Sequence, residues 1–267
     1  MITRDADEFF SYAKTLDLKF SAAVAKALFL VSPIGFALAE QSARDNHYMQ
    51  MGQVANAQQA ILEHQQLQTT LRQYCPIICF PGDPVMPDSV FPNNVFASTE
   101  GKIIIGHMRH PIRQQEAMRT DIRQFMTDVL QREEIDLSTQ PGICELTGSL
   151  IIDRARGIGF CGLSERCNEA GAIAMHHAFG LRATYLFDLS ESEYHTNVVL
   201  SVLASRAIVI ASSGFKDIAS ANAIAEFYSP NVIQLTDVQK SEYAGNCIAL
   251  TEQVVCMSQR AKNSLTQ

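Results

Sequence analysis

The sequence predicts an α/β protein assembled from ββαβ-type units set in a ring around a common axis. Two observations carry this. An apolar pattern recurs about every fifty residues, and within each recurrence strand-like runs alternate with an amphipathic helix. The composition permits such a fold: the 267 residues are 47% apolar and 18% charged, enough chain and enough apolar surface for a sizeable core.

Four segments share the pattern: NVFASTEGKIIIGHM from Asn94, SLIIDRARGIGFCGLS from Ser149, NVVLSVLASRAIVIAS from Asn197 and NCIALTEQVVCMS from Asn246. Each begins with a polar residue, runs through an apolar stretch, turns, and returns through a second one. The runs have strand length and β-branched content, and Gly, Ser, Asp or Glu supply the turns. A helix follows in three of them. In PIRQQEAMRTDIRQFMTDVL the apolar Met118, Ile122, Phe125 and Val129 recur at three- and four-residue steps, and ANAIAEF has the same part in a later unit. Short return strands, EIDLS and NVIQL, close the units.

A fifth unit comes first. Residues 20–39 are nearly all apolar, yet Lys26 and Pro33 interrupt them and an acidic stretch precedes them. A membrane span needs about 20 uninterrupted apolar residues and a signal peptide needs a basic start. The stretch therefore predicts a helix over 14–28 leading into a buried strand over 29–34. A long helix over 54–73 has Ala57, Ala60, Ile61, Leu67 and Leu71 at helical steps, and PIICF supplies the return strand. Residues 1–28 are read as an N-terminal helical extension and 29–267 as the ring. Stacked units of this kind bury their apolar faces only against each other, so helices are expected outside, strands inside, and polar loops at the centre. The last unit stops at a helix start, SQRAKNSL, and comparison with the full units predicts that it is incomplete by roughly 30 residues. An unclosed ring would leave strand edges for a second copy, a homo-oligomer.

The net charge of −7 excludes a typical nucleic-acid binder, whose affinity rests on neutralising phosphates. Seven cysteines at irregular spacing give no disulfide framework and point to a reducing, cytoplasmic setting.

Four loops at comparable places in the units carry the chemistry. In PDSVFPNN, Asp88 and the pair Asn93–Asn94 bracket an apolar pair; turn formation alone would explain them. In GHMRHPIRQQE, Arg109 and Arg113 could clamp a carboxylate, or could decorate a helix start opened by Pro111. His107 and His110 lack a second ligand pair with metal spacing, so no metal is expected. In CELTGS, Glu145 precedes a buried strand, where a carboxylate needs a cationic partner. In GLSERCNEAG, Arg166 is either that partner or a substrate clamp, Ser164 fits an N-cap, and Glu169 a place in the next helix. In SEYHTNVVLSVL, His195 precedes the first strand of its unit much as Glu145 does, with Asn197 two residues on, and His is the side chain suited to moving protons near neutral pH. Carboxylates, arginines and a histidine meeting in one small cavity suit a substrate that carries a planar guanidinium at one end and a carboxylate at the other.

These motifs, with AGNCIAL and VVCMSQRAKNSL, resemble the guanidino-group-modifying (pentein) superfamily of arginine deiminases, dimethylargininases and amidinotransferases, nearest the citrulline/arginine-utilising amidinohydrolase branch. The likeness spans residues 29–265. It implies a five-bladed αβ propeller, no cofactor, and a small guanidino or ureido amino acid as partner. It places Asp88 and Asn94 in the guanidinium pocket, where many relatives carry two Asp, and Arg109 and Arg166 at the substrate's carboxylate. Glu145 matches the acidic residue that holds the guanidinium and His195 the general acid/base. The nucleophile of the family is a cysteine in a final strand; Cys247 resembles a non-catalytic strand position and Cys256 lies in the next strand, so neither carries over, and this cysteine is expected to be missing with the C-terminal segment. An amidinohydrolase and an inactive binding protein or assembly subunit are the two functions implied.

Overall fold

In a computed structural model, residues 1–49 and 56–265 are described. The chain opens with strand β1 (Ile2–Thr3) and helix α1 (Ala6–Ala13). Strand β2 (Leu28–Val31), the short helix α2 (Glu40–Ala43), helix α3 (Ala57–Leu71) and strand β3 (Ile77–Phe80) form the first unit. The second holds β4 (Phe96–Thr99), β5 (Lys102–Ile105), α4 (Pro111–Ala117), α5 (Thr120–Gln124) and β6 (Glu133–Asp136). The third runs through α6 (Leu146–Ser149), β7 (Leu150–Asp153), β8 (Ile158–Leu163), α7 (Glu169–Phe179) and β9 (Ala183–Asp188). The fourth has α8 (Thr196–Val199), β10 (Leu200–Leu203), β11 (Ala207–Ile210), α9 (Ile218–Tyr228) and β12 (Val232–Gln234). Helix α10 (Asp237–Ser241), β13 (Ile248–Ala249), β14 (Val255–Cys256) and α11 (Gln259–Leu265) end the chain.

Among the described residues the strands form five sheets, one per unit. The middle three share a plan. β4, β7 and β10 pair antiparallel with β5, β8 and β11 across tight turns, and those pair parallel with β6, β9 and β12. A parallel neighbour requires a crossover, and the helices α4–α5, α7 and α9 provide it. β2 pairs parallel with β3, and β13 antiparallel with β14. The α/β class and the repeat are therefore as the sequence predicts. No helix among the described residues is long and apolar enough to cross a membrane.

Two expectations need correction. The helix expected over 14–28 does not form; the helical turn lies earlier, at Ala6–Ala13, where Asp5 accepts a hydrogen bond from the Glu8 amide and caps it. The single helix expected from Pro111 is broken at Met118, and a π-helical turn follows at Phe125–Val129. Ile122 is fully buried as the pattern requires, but Met118 and Val129 are exposed, because the break rotates them off the core face. Of the predicted 54–73 helix, its start at Val54 lies outside the described residues.

The N-terminus is woven into the third unit. β1 adds to β9 in parallel register, Ile2 opposite Thr184. α1 then lays Phe9 and Phe10 into the largest core cluster, with Phe160, Tyr185 and Tyr228. The Phe9 ring centroid lies 5.7 Å from that of Phe160 and 5.4 Å from that of Tyr185. A fully buried aromatic truncated to alanine costs about 3–5 kcal/mol. Phe9→Ala is therefore expected to lower stability by that amount, read as a shifted denaturant midpoint; a change under about 1 kcal/mol would detach α1 from the core.

Candidate active site

Three short helical turns immediately precede the first strands of the middle units: Pro92–Asn94, α6 and α8. They pack against one another, α6 in the middle. Glu145 is the residue that enters α6 and His195 the one that enters α8, so the repeat itself delivers both side chains to one place. Leu146, directly after Glu145, takes a φ of 26°, a left-handed conformation that costs a branched residue about 1–3 kcal/mol and turns the chain sharply at this point. Thr196 fastens the two turns: its hydroxyl donates to the Ser149 carbonyl at 2.6 Å and accepts from the Gly162 amide at 2.9 Å.

Glu145 has no exposed surface. Its Oε2 lies 2.8 Å from His195 Nε2 and 3.0 Å from Arg166 Nη1; its Oε1 accepts from the Arg109 backbone amide at 3.3 Å. Burial alone would raise the carboxyl. The hydrogen bond and charge of His195, then the charges of Arg166 and Arg113, outweigh it and hold the group at about 2. The direction stands on Arg166, which stays charged at any working pH. His195 goes down: burial lowers it first of all, against the pull of Glu145, and Arg166 and Arg113 add to the lowering. An acceptor-only carboxylate next to a neutral imidazole assigns the ring proton to Nε2. The pair thus holds an ionised carboxylate and an imidazole that is neutral at pH 7, a state able to accept a proton from a reacting group.

Arg166 is also buried. Besides Glu145 it binds Asp45 with a two-pronged fork, Nη2 to Oδ1 at 2.5 Å and Nε to Oδ2 at 2.9 Å, and it donates to the Ser42 carbonyl at 2.9 Å. The Tyr194 ring lies 5.6 Å from its guanidinium. Arg109 Nε stands 3.4 Å from Asp45 Oδ2, and its Nη1 reaches Glu165. Asp45 therefore joins both predicted arginines. Nothing in the repeat pattern signals Asp45; its only mark is the polar run EQSARDNH after a long apolar stretch.

The guanidinium-pocket candidates, Asp88 and Asn94, are both buried. Asp88 accepts a hydrogen bond from Ser42 Oγ. Asn94 Oδ1 accepts from Asn93 at 2.9 Å. Gly148 separates Asn94 from His195: a Cβ there would lie 2.6 Å from Asn94 Oδ1 and 2.9 Å from His195 Nε2. Asn197 is half-buried in α8 and makes none of the hydrogen bonds that join this cluster among the described residues. Arg113 does not serve as a free clamp. It is buried, donates to the Phe91 carbonyl at 2.9 Å and pairs with Glu116, whose carboxyl burial pushes up to about 7 against the charge of Arg113. The two histidines considered for a metal point apart, His107 to the Gln140 carbonyl and His110 to Asp45. Ser164 is not an N-cap; its hydroxyl binds the Tyr194 carbonyl at 2.7 Å, and Asn168 caps α7 instead.

All seven cysteines are free thiols. Burial pushes Cys144 up to about 12 and Cys247 up to about 11, and it raises Cys256 as well. These three are protonated at neutral pH.

The fold recurs in solved structures. The N-terminal domain of ArgZ, an arginine dihydrolase from cyanobacteria solved with substrate bound, superposes with a TM-score of 0.75 at 16% identity, covering 89% of this chain and 86% of that one. Dimethylarginine dimethylaminohydrolase from Pseudomonas aeruginosa, in complex with citrulline, gives 0.69 at 21% identity over 91% and 89%. Unliganded AgrE gives 0.75 at 18% identity over 89% and 34%. These likenesses define the fold as that of the guanidino-group-modifying (pentein) proteins. A family model described as N,N dimethylarginine dimethylhydrolase, eukaryotic, matches residues 32–267, and the chain belongs to that family. No curated protein matches it by sequence.

The buried titrating groups set how stability responds to acid. An unfolded histidine titrates near 6.5, so a folded histidine held below that value leaves the native state with fewer protons. His195 is lowered, and His176 is pushed down to about 4 by burial, then by the N-terminal charge and His177. Their contribution is complete above about pH 6.5 and is lost as pH falls below it, at up to about 1.4 kcal/mol per pH unit for each group. Glu145 follows lower down, its contribution lost between its unfolded value near 4 and its folded value of about 2. Melting curves from pH 7.5 to 5 should fall in temperature as pH drops, and His195→Gln should flatten that fall; a parallel slope in both proteins would contradict the lowered His195.

Proposed function

We propose that this chain is a hydrolase-type enzyme of guanidino or ureido groups, acting on arginine or a related small amino acid, on a five-bladed αβ propeller. The five sheets, three of them on one plan, support the propeller. Residues 29–267 form the propeller proper, and 1–28 an extension that completes its third blade. The observation that carries the activity is the buried Glu145–His195–Arg166 cluster. Glu145, ionised and buried from solvent, is the acceptor a flat cation needs; Asp88 and Asn94, also buried, extend the acceptor set. His195, neutral at pH 7, takes a proton from the attacking water as the new C–O bond forms and then gives it to the departing nitrogen as the C–N bond breaks. Arg166 and Arg109 hold the substrate's carboxylate at the far end. Asn197 lines the His195 turn. Family membership and relatives solved with arginine-pathway ligands support the same chemistry. The seven free thiols support a reducing, cytoplasmic setting.

The thiolate chemistry of the superfamily is not assigned to Cys247 or Cys256, whose thiols are protonated at neutral pH. That state favours a second reading, a protein that binds a guanidino or ureido amino acid without consuming it. One assay separates the two. Amine or ammonia release from L-arginine and methylated L-arginine is measured for the wild type, His195→Ala, and the double variant Cys247→Ala/Cys256→Ala. The enzyme reading expects a drop of about 10²–10⁴ in kcat/KM for His195→Ala and no change for the double cysteine variant. No release by the wild type, together with a raised melting temperature in millimolar L-citrulline, selects the binding protein.

A further inference from the structure

The Arg166 guanidinium has no donor left for a ligand. Nη1 serves Glu145; Nη2 and Nε close a fork on Asp45, and Nη2 also serves the Ser42 carbonyl. Such a parallel fork is how arginine binds a carboxylate group of any origin. Asp45 takes the rest of the neighbourhood too. Arg109 Nε is 3.4 Å from its Oδ2, and His110 Nε2 is 3.1 Å from the same atom. One internal carboxylate thus fills the place where a bound amino acid would set its own.

Asp45 arrives on a segment joined to the site by polar contacts, with Tyr48 packed against Tyr194 and Tyr243. Gln41 Oε1 accepts from the Ile112 amide at 3.1 Å. Ser42 Oγ donates to Asp88, and Tyr48 donates to Glu193 at 3.0 Å. Of the residues 41–48, only Ser42 is buried. Each hydrogen bond contributes about 1 kcal/mol, and Tyr48, half-buried against the core, adds apolar burial at the far end of the segment. The segment is joined to the site by contacts that a ligand of the same chemistry can replace one for one.

We propose that Asp45 is an internal competitor for the carboxylate clamp, so that residues 41–48 act as a strap which a carboxylate-bearing ligand displaces and a ligand lacking that group does not. This rests on the function proposed above. The occupied clamp scales the apparent affinity for a carboxylate-bearing ligand by the fraction of time the strap is unseated. It also makes the strap a discriminator. A ligand that binds Glu145 and His195 but has no carboxylate leaves Asp45 in place, whereas an amino acid must exchange with it.

The test compares L-citrulline with N-carbamoylputrescine, the same ureido chain without the carboxylate, by calorimetry on the wild type and on Asp45→Asn. Asp45→Asn is expected to tighten L-citrulline at least about tenfold and to leave N-carbamoylputrescine within about threefold. Tyr48→Phe, which loosens the strap away from the arginines, is expected to tighten L-citrulline and to leave N-carbamoylputrescine within about threefold. If both ligands bind and Asp45→Asn weakens L-citrulline, or changes both equally, the competitor role is overturned while the site's function stands. If neither ligand binds either protein, the function falls and the competitor role with it. Should Asp45→Asn fail to fold, amide exchange of the wild type decides. Exchange across 41–48 is expected to rise with saturating L-citrulline and not with N-carbamoylputrescine; no rise with L-citrulline overturns the proposal.

Discussion

The buried contact between Arg166 and Glu145 is the constraint around which the centre of this molecule is arranged. Both side chains are almost without exposed surface, and they meet at 3.0 Å. Two charges taken out of water are costly to bury, and removing either one strands the other at a cost of about 3–5 kcal/mol. The fold meets that cost by surrounding the pair with donors and acceptors from four successive units. The strap residue Asp45 comes from the first, the Arg109 amide from the second, Glu145 and Arg166 from the third, and His195 from the fourth. Any rearrangement that separates two neighbouring units also breaks the shell of one buried charge.

Orientation is set one layer further out. Ser164 bridges the loop that carries Arg166 to the one that carries His195, through the Arg166 amide at 3.1 Å and the Tyr194 carbonyl at 2.7 Å. The Tyr194 ring lies beside both functional groups, 5.6 Å from the Arg166 guanidinium and 4.6 Å from the His195 ring. A planar cation and a planar ring so placed are limited in how they can turn, which is the preorganisation that proton transfer needs.

Much of this was legible in the sequence because it is periodic. A strand pair costs few residues and leaves a clear apolar pattern, so the units beginning near Asn94, Ser149 and Asn197 could be read directly, and their equivalence brought Glu145 and His195 to corresponding loops. Helices were harder. Residues 14–28 have the apolar content of a helix, yet the chain makes its first helix at Ala6–Ala13, where only Phe9, Phe10 and Ala13 are buried and a capping Asp5 settles the start. The break at Met118 is likewise a tertiary effect, with Arg119 turned away to hold Asp121 and the Pro81 carbonyl. Asp45 was not legible at all. Its partner Arg166 is 121 residues away, and no local pattern encodes an ion pair across that distance.

Gly148 carries a consequence for anyone reshaping this site. A Cβ there would lie against both the Asn94 amide and the imidazole of His195, so even a methyl group would press on both at once. A redesign of this cluster therefore has no room to add mass at position 148.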